Sequence, residues 1–173
     1  AQADRFTASQ YDPDAWARLF AEAGARYAVL TTKHHDGVAL WDTKIAYPDG
    51  TIFSTATATP AARDLVTPYV EAMRRGGIKA GLYFSHLDWH HPDYASMQLP
   101  EHPQPGVVEG QEHNPYSFPP DGDENPDAWH RFLEFHRAQL VELCAYDPDI
   151  LWFDGAWERT PQQWRMDEVA AFL

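Results

Sequence analysis

Apolar positions recur along this chain in two alternating rhythms. Between Tyr11 and Tyr27, the residues Trp16, Leu19, Phe20 and Ala23 follow the i, i+3, i+4, i+7 spacing of one helix face. Asp12 is placed to cap that helix, Pro13 suits its first position, and Gly24 marks its end. The run YAVLTT (27–32) then predicts a short buried strand. The same alternation repeats downstream. A second helix is predicted within 64–75, with Pro68 in its first turn, Leu65, Tyr69 and Met73 on its buried side, and Gly76-Gly77 as its stop. IKAGLYF (78–84) reads as a second strand. Asn125-Pro126 opens a third helix, whose buried side is expected to hold Trp129, Phe132, Leu133, Leu140, Leu143 and Cys144. DPD (147–149) breaks it, and ILWF (150–153) is the third strand. Thr160-Pro161-Gln162-Gln163 has the form of a capping box and predicts a fourth helix running toward Leu173.

The order α-β-α-β-α-β-α, with short and nearly continuous apolar strands, indicates an α/β fold with a parallel sheet and helical crossovers. Two connections are unusually long, 36–63 and 86–126. The second is rich in Pro, Gly, His and acidic residues, and is either a functional loop or partly disordered. Its acids, such as Glu101, Asp121 and Glu124, read as a solvated charge run.

Polar and aromatic groups follow each strand. Lys33-His34-His35-Asp36-Gly37 comes after the first, Ser85-His86-Leu87-Asp88-Trp89-His90-His91 after the second, and Asp154-Gly155-Ala156-Trp157-Glu158 after the third. In parallel α/β folds these ends share one face, and that face carries the site. Asp154 directly follows an apolar run, and alternation puts Trp152 on its side of the strand. Such a carboxylate suits a nucleophile or a cation stabiliser; a helix cap or a structural ion pair is the plainer role. Adjacent strand residues face opposite sides, so His34 and His35 share a pocket only where the strand has ended or bulged. Neutral imidazoles there can hydrogen-bond sugar hydroxyls, with Asp36 or a backbone group fixing the tautomer, or one can be a buried supporting histidine. His86, Asp88, His90 and His91, with His34 and His35, supply ligand types for zinc, but their spacing matches neither HExxH nor paired CxxC. No GxGxxG or P-loop follows a strand, which weakens a nucleotide-binding reading.

Composition narrows the partners. The net charge of −13 argues against nucleic acid or an anionic membrane surface. Seven Trp, eight Tyr and nine Phe exceed an ordinary core's needs, and aromatic faces are what sugar rings stack on. The single cysteine, Cys144, excludes an internal disulfide and reads as a small buried hydrophobe. No apolar run reaches membrane-spanning length, so a soluble protein is expected. AQADRFTASQ lacks a signal-peptide pattern, and secretion or periplasmic export after removal of a leader stays open.

The segments GARYAVLTTKHHDGVALWDT, RDLVTPYVEAMRRGGIKAGLYFSHLDWHHPDY and PDILWFDGAW resemble the family 29 glycoside hydrolases, the retaining α-L-fucosidases. The resemblance implies a (β/α)8 TIM-barrel-like catalytic domain, here a partial barrel of about three parallel strands within a single unit, 1–173. It implies that Asp154 is the nucleophile, that Trp152 and Tyr83 line the fucose pocket, and that His34 and His35 bond fucose hydroxyls. Trp152, Tyr83 or Trp41 would meet the 6-deoxy methyl. Val38 stands where the family normally has Phe, which loosens the wall. A full barrel needs about 250 residues and eight strands. The chain is therefore expected to be part of a larger enzyme, with the acid/base carboxylate outside it; Glu158 is the nearest carboxylate and a weak candidate. No metal and no cofactor is implied. The expected partner is a fucosylated glycan, and open sheet edges favour self-association. The alternatives are a non-catalytic, fucose-binding or partner-completed fragment and, behind it, a zinc-dependent hydrolase.

Overall fold

The computed structural model describes residues 3–95, 125–156 and 159–172, and all three predicted strands form within them. They are β1 (Tyr27–Lys33), β2 (Lys79–Ser85) and β3 (Ile150–Asp154), arranged β1-β2-β3 in one parallel sheet. Helices α1 (Pro13–Glu22), α2 (Val66–Arg75), α3 (Pro92–Ala95), α4 (Pro126–Cys144) and α5 (Met166–Phe172), with a 3-10 turn at Ala3–Arg5, complete the order. None of the described helices is long and apolar enough to cross a membrane.

Local chemistry explains the helix ends. Asp12 accepts the Ala15 N–H at 2.9 Å, and Asn125 accepts the Ala128 N–H at 3.0 Å, each with proline at the start of its helix. The Asp64 carboxylate accepts the N–H groups of Val66 and Thr67 at the start of α2. Thr160 and Gln163 form the reciprocal capping-box pair, but the regular helix begins only at Met166, after Arg165 takes a left-handed φ of 50°.

The sheet has two unlike faces. Ala80, Leu82 and Phe84 of β2 point into the main core, with Ala28, Leu30, Leu151 and Phe153 beside them. Val66, Tyr69, Val70 and Met73 of α2 and Leu140 and Leu143 of α4 complete that core. The opposite face carries Tyr83 and Ser85 on β2 and, in register with them, Trp152 and Asp154 on β3. It is open, and Tyr27 and Trp152 are each 57% exposed. The strands are thus covered on one face. A second cluster lies beneath the loops at the strand ends, built from Tyr47, Leu87, Tyr94, Trp129, Phe132 and Trp164 among others.

Several positions depart from expectation. Leu19 and Ala23 are exposed; α1 instead turns Trp16, Ala17 and Phe20 inward. Cys144 is only half-buried, at the end of α4, although burial does raise its thiol pKa. Trp41 lies in the core, its indole N–H donating to Glu142 at 2.8 Å, so it cannot meet a ligand on the open face. Of the loop 86–126, only its first residues, through Ala95, and its last two lie within the described residues.

Candidate active site

A bulge in β1 places the site's histidines. Thr31 pairs with Tyr83, but Lys33, two residues on, pairs with Phe84. The extra residue, Thr32, bonds the Tyr83 carbonyl through its hydroxyl at 2.6 Å. The shift turns Lys33 to the core side of the sheet and brings His34 to the open side, where its ring stacks on Tyr83 at 5.8 Å and 8°. The strand has ended by His35, so that ring also reaches the open side, 4.0 Å from His34.

Asp154 ends β3. Its Oδ2 accepts the Tyr83 hydroxyl at 2.6 Å and its Oδ1 accepts the Gly155 N–H at 2.8 Å. The Tyr83 hydrogen bond, helped by the Gly155 amide and the two histidines, holds the carboxyl below its ordinary pKa against a smaller effect of burial. Asp154 is therefore ionised at neutral pH. Burial, with the same contact, raises the Tyr83 phenol, which stays a donor. Gly155 permits the sharp exit at φ 83°, where a Cβ would sit 2.6 Å from Leu87 Cγ.

His35 is fixed by Ser85, not by Asp36. The His35 Nδ1 and Ser85 Oγ are 2.5 Å apart. Ser85 also donates its hydroxyl proton to the Leu87 carbonyl at 3.1 Å and accepts the Leu87 N–H at 3.0 Å. With that proton on the Leu87 carbonyl, Nδ1 is the donor to Oγ. The lone pair of His35 then resides on Nε2. Burial keeps the imidazole pKa low, so the ring is neutral at pH 7. Asp36 instead accepts the Val38 N–H within its own loop.

Behind these groups lies a buried ion pair that position-by-position reading passed over. Lys33 Nζ is 2.8 Å from Asp88 Oδ2 and 2.8 Å from Gln139 Oε1, and the Lys33 and Asp88 side chains are both fully buried. Asp88 Oδ1 accepts the N–H groups of His90 and His91, and Tyr47 donates to Oδ2 at 3.1 Å. Gly37 packs against this cluster at φ 84°, and a Cβ there would lie 2.6 Å from Asp88 Oδ1. The pair joins the end of β1 to the loop after β2. The KHHDG pattern showed that this stretch was special, but not that its lysine faced inward.

The second histidine group does not converge on a metal. His86 pairs with His136 through Nδ1 and Nε2 at 2.9 Å, His90 stacks on Phe53, and His91 packs against Phe132 and Phe135. Burial lowers the pKa of both His86 and His91 to about 4, so both are neutral core residues. Among the described residues, the one group with ligand atoms close together is His34, His35 and Asp154. A cavity of about 630 Å³, lined by Arg5, Phe6, Thr31, Val38 and Leu40 among others, adjoins this group at His34. Trp157 and Glu158 lie outside the described residues.

The sequence-predicted residues Asp154, Tyr83, His34 and His35 are therefore brought into mutual contact, and Trp152 lies beside Tyr83 on the same face. The chain as a whole is similar to known proteins. The family model described as alpha-L-fucosidase matches residues 1–173. The tissue alpha-L-fucosidase of Bos taurus is 34% identical over 98% of this chain. A Bacteroides thetaiotaomicron alpha-L-fucosidase, solved as a trapped covalent intermediate with 2-fluoro-fucosyl fluoride, is 29% identical over 98% of this chain, with a TM-score of 0.72. A Thermotoga maritima alpha-fucosidase in complex with fucose is 32% identical over 98% of this chain, with a TM-score of 0.67. The chain spans about 30% of the Bos taurus protein, and 33% and 34% of the two crystallised chains.

Proposed function

The chain belongs to the alpha-L-fucosidase family, and from that premise we propose that it carries the nucleophile part of a retaining α-L-fucosidase site. The reaction is hydrolysis of terminal α-L-fucosyl linkages in fucosylated glycans through a covalent intermediate on Asp154. The observation that carries this reading is the ionised Asp154 carboxylate, held by the Tyr83 hydroxyl and the Gly155 amide beside two histidine rings.

Each Asp154 oxygen accepts one hydrogen bond and keeps a second lone pair, so either can attack the anomeric carbon without losing its support. The attack proceeds through an oxocarbenium-like transition state, and the carboxylate's charge opposes the charge that develops on the ring. His35 Nε2 accepts a hydrogen bond from a sugar hydroxyl, and His34 supplies a second polar edge. Losing such a hydroxyl leaves buried polar groups unpaired, which is how the pocket discriminates among sugars. Tyr83 and Trp152 offer apolar surface to the 6-deoxy methyl. The acid/base carboxyl, about 5–5.5 Å from the nucleophile in retaining enzymes, is assigned to another part of the enzyme. The solved relatives support the reading, one trapped as a covalent intermediate and one bound to fucose.

The test is covalent labelling by a 2-fluoro fucosyl donor, read by mass spectrometry of peptides. Labelling at Asp154 that Asp154→Asn abolishes is the expected result. Labelling at any other residue would refute the assignment.

A further inference from the structure

His34, His35 and Asp154 each offer one ligand atom, and these atoms lie within 4.8 Å of one another. We propose that they bind a single divalent transition cation, zinc above all, and that the ion covers the nucleophile and inhibits the enzyme rather than serving it as a cofactor. Two imidazoles and a carboxylate form a donor set that suits zinc, with water as the fourth ligand.

The set is supported as metal ligands are. His35 donates Nδ1–H to Ser85, which makes Nε2 the ligating nitrogen and fixes the ring's direction. Asp154 is held by Tyr83 and Gly155, and both contacts survive ligation because each oxygen keeps a lone pair. Zinc bonds of about 2.0–2.2 Å place neighbouring donors about 3.3 Å apart, so the set must tighten. His34 is the exposed member and supplies that movement. The other clustered histidines have contacts elsewhere: His86 bonds His136, His91 Nδ1 accepts the Asp93 N–H, and the His90 ring stacks on Phe53. The net charge of −13 raises the local concentration of cations. That the ion binds is independent of sugar chemistry; that it inhibits rests on Asp154 being the nucleophile.

The experiment is calorimetric titration of the purified chain with Zn²⁺ alone at neutral pH, repeated with L-fucose present. One-to-one binding is expected, lost in Asp154→Asn and in His34→Gln, and weakened about 10- to 100-fold in Ser85→Ala. Circular dichroism checks that each variant is folded. Cobalt substitution of the wild type, needing no variant, is expected to give the intense visible bands of a tetrahedral nitrogen–oxygen site. L-fucose is expected to weaken zinc binding, because both need Asp154. Absence of saturable zinc binding, or binding undiminished in both Asp154→Asn and His34→Gln, would overturn the site. Zinc binding that needs both residues but ignores L-fucose would uphold the metal site and count against the sugar reading. Fucose binding without zinc binding would do the reverse.

Discussion

The hydroxyl of Tyr83 sets both the direction and the charge of Asp154. The sign follows from which form it favours. A donor to the carboxylate stabilises the ionised form, so the folded pKa falls and Asp154 stays charged into more acidic solution. Tyr83→Phe removes that donor and leaves the ring. The acid limb of kcat/KM against pH in the full-length enzyme is expected to move to higher pH. A loss of about tenfold at neutral pH is expected as well, the equivalent of one charge-assisted hydrogen bond of about 1.5 kcal/mol. An acid limb that stays in place would mean that the contact does not tune Asp154, the proposed nucleophile. Single residues also mark the limits of the sequence. Asp154 and the two histidines were legible because strand ends in parallel sheets concentrate chemistry, whereas Tyr83 came only from the family resemblance. Ser85 shared that mark, but one serine at a strand end says nothing of the hydroxyl geometry that selects a tautomer. Trp41 was misplaced because an aromatic after a histidine cluster looks the same in sequence whether it turns toward ligand or core.

At the scale of elements, the bulge at Thr32 does two things at once. It sends Lys33 into the core and His34 to the site. The buried Lys33–Asp88 pair then ties the end of β1 to the loop that follows β2. Burial pulls the lysine pKa down, while Asp88 opposes the shift and keeps the ammonium form worth holding. Lys33→Met leaves Asp88 as an uncompensated buried carboxylate and is expected to destabilise the fold by about 3–5 kcal/mol in urea unfolding. Lys33→Met with Asp88→Asn is expected to recover part of that loss, because the amide oxygen still accepts the His90 and His91 amides. Full stability in the single variant would remove the pair from the fold's support. The element order and strand positions were legible from hydrophobic period and caps. The bulge was legible only as a condition, that both histidines reach one pocket if the strand ends or bulges there. Its consequence for Lys33 was not, because the register of pairing is a property of two strands and a sequence presents them one at a time.

The whole molecule presents a sheet finished on one face and open on the other. Phe84 and Leu82 are fully buried against helices, whereas Tyr27 and Trp152 stand 57% exposed on the face that holds Asp154. Along the outer edge of β1, Leu40 N–H pairs with the Thr32 carbonyl at 2.8 Å, and the described residues add no further strand there. An unpaired parallel edge beside exposed aromatics is a template for another chain. The relatives are far longer than this chain, which spans about 30% of the Bos taurus protein, so in a whole enzyme other segments are available to cover that edge and face. Expressed alone, the chain is expected to self-associate, with a light-scattering mass that rises with concentration above the 19.7 kDa of the monomer. Tyr27→Lys places a charge on the exposed edge strand and is expected to lower association while leaving the circular dichroism spectrum unchanged. Trp152→Ala tests the other candidate surface, the open face, and discriminates edge pairing from face stacking. If Tyr27→Lys alone restores the monomer, strand addition at β1 is the route. If only Trp152→Ala does, copies stack through the face that bears Asp154, and sugar binding and association will compete for the same surface. A stable monomer at every concentration would show instead that an open edge and face of this size are tolerated in water.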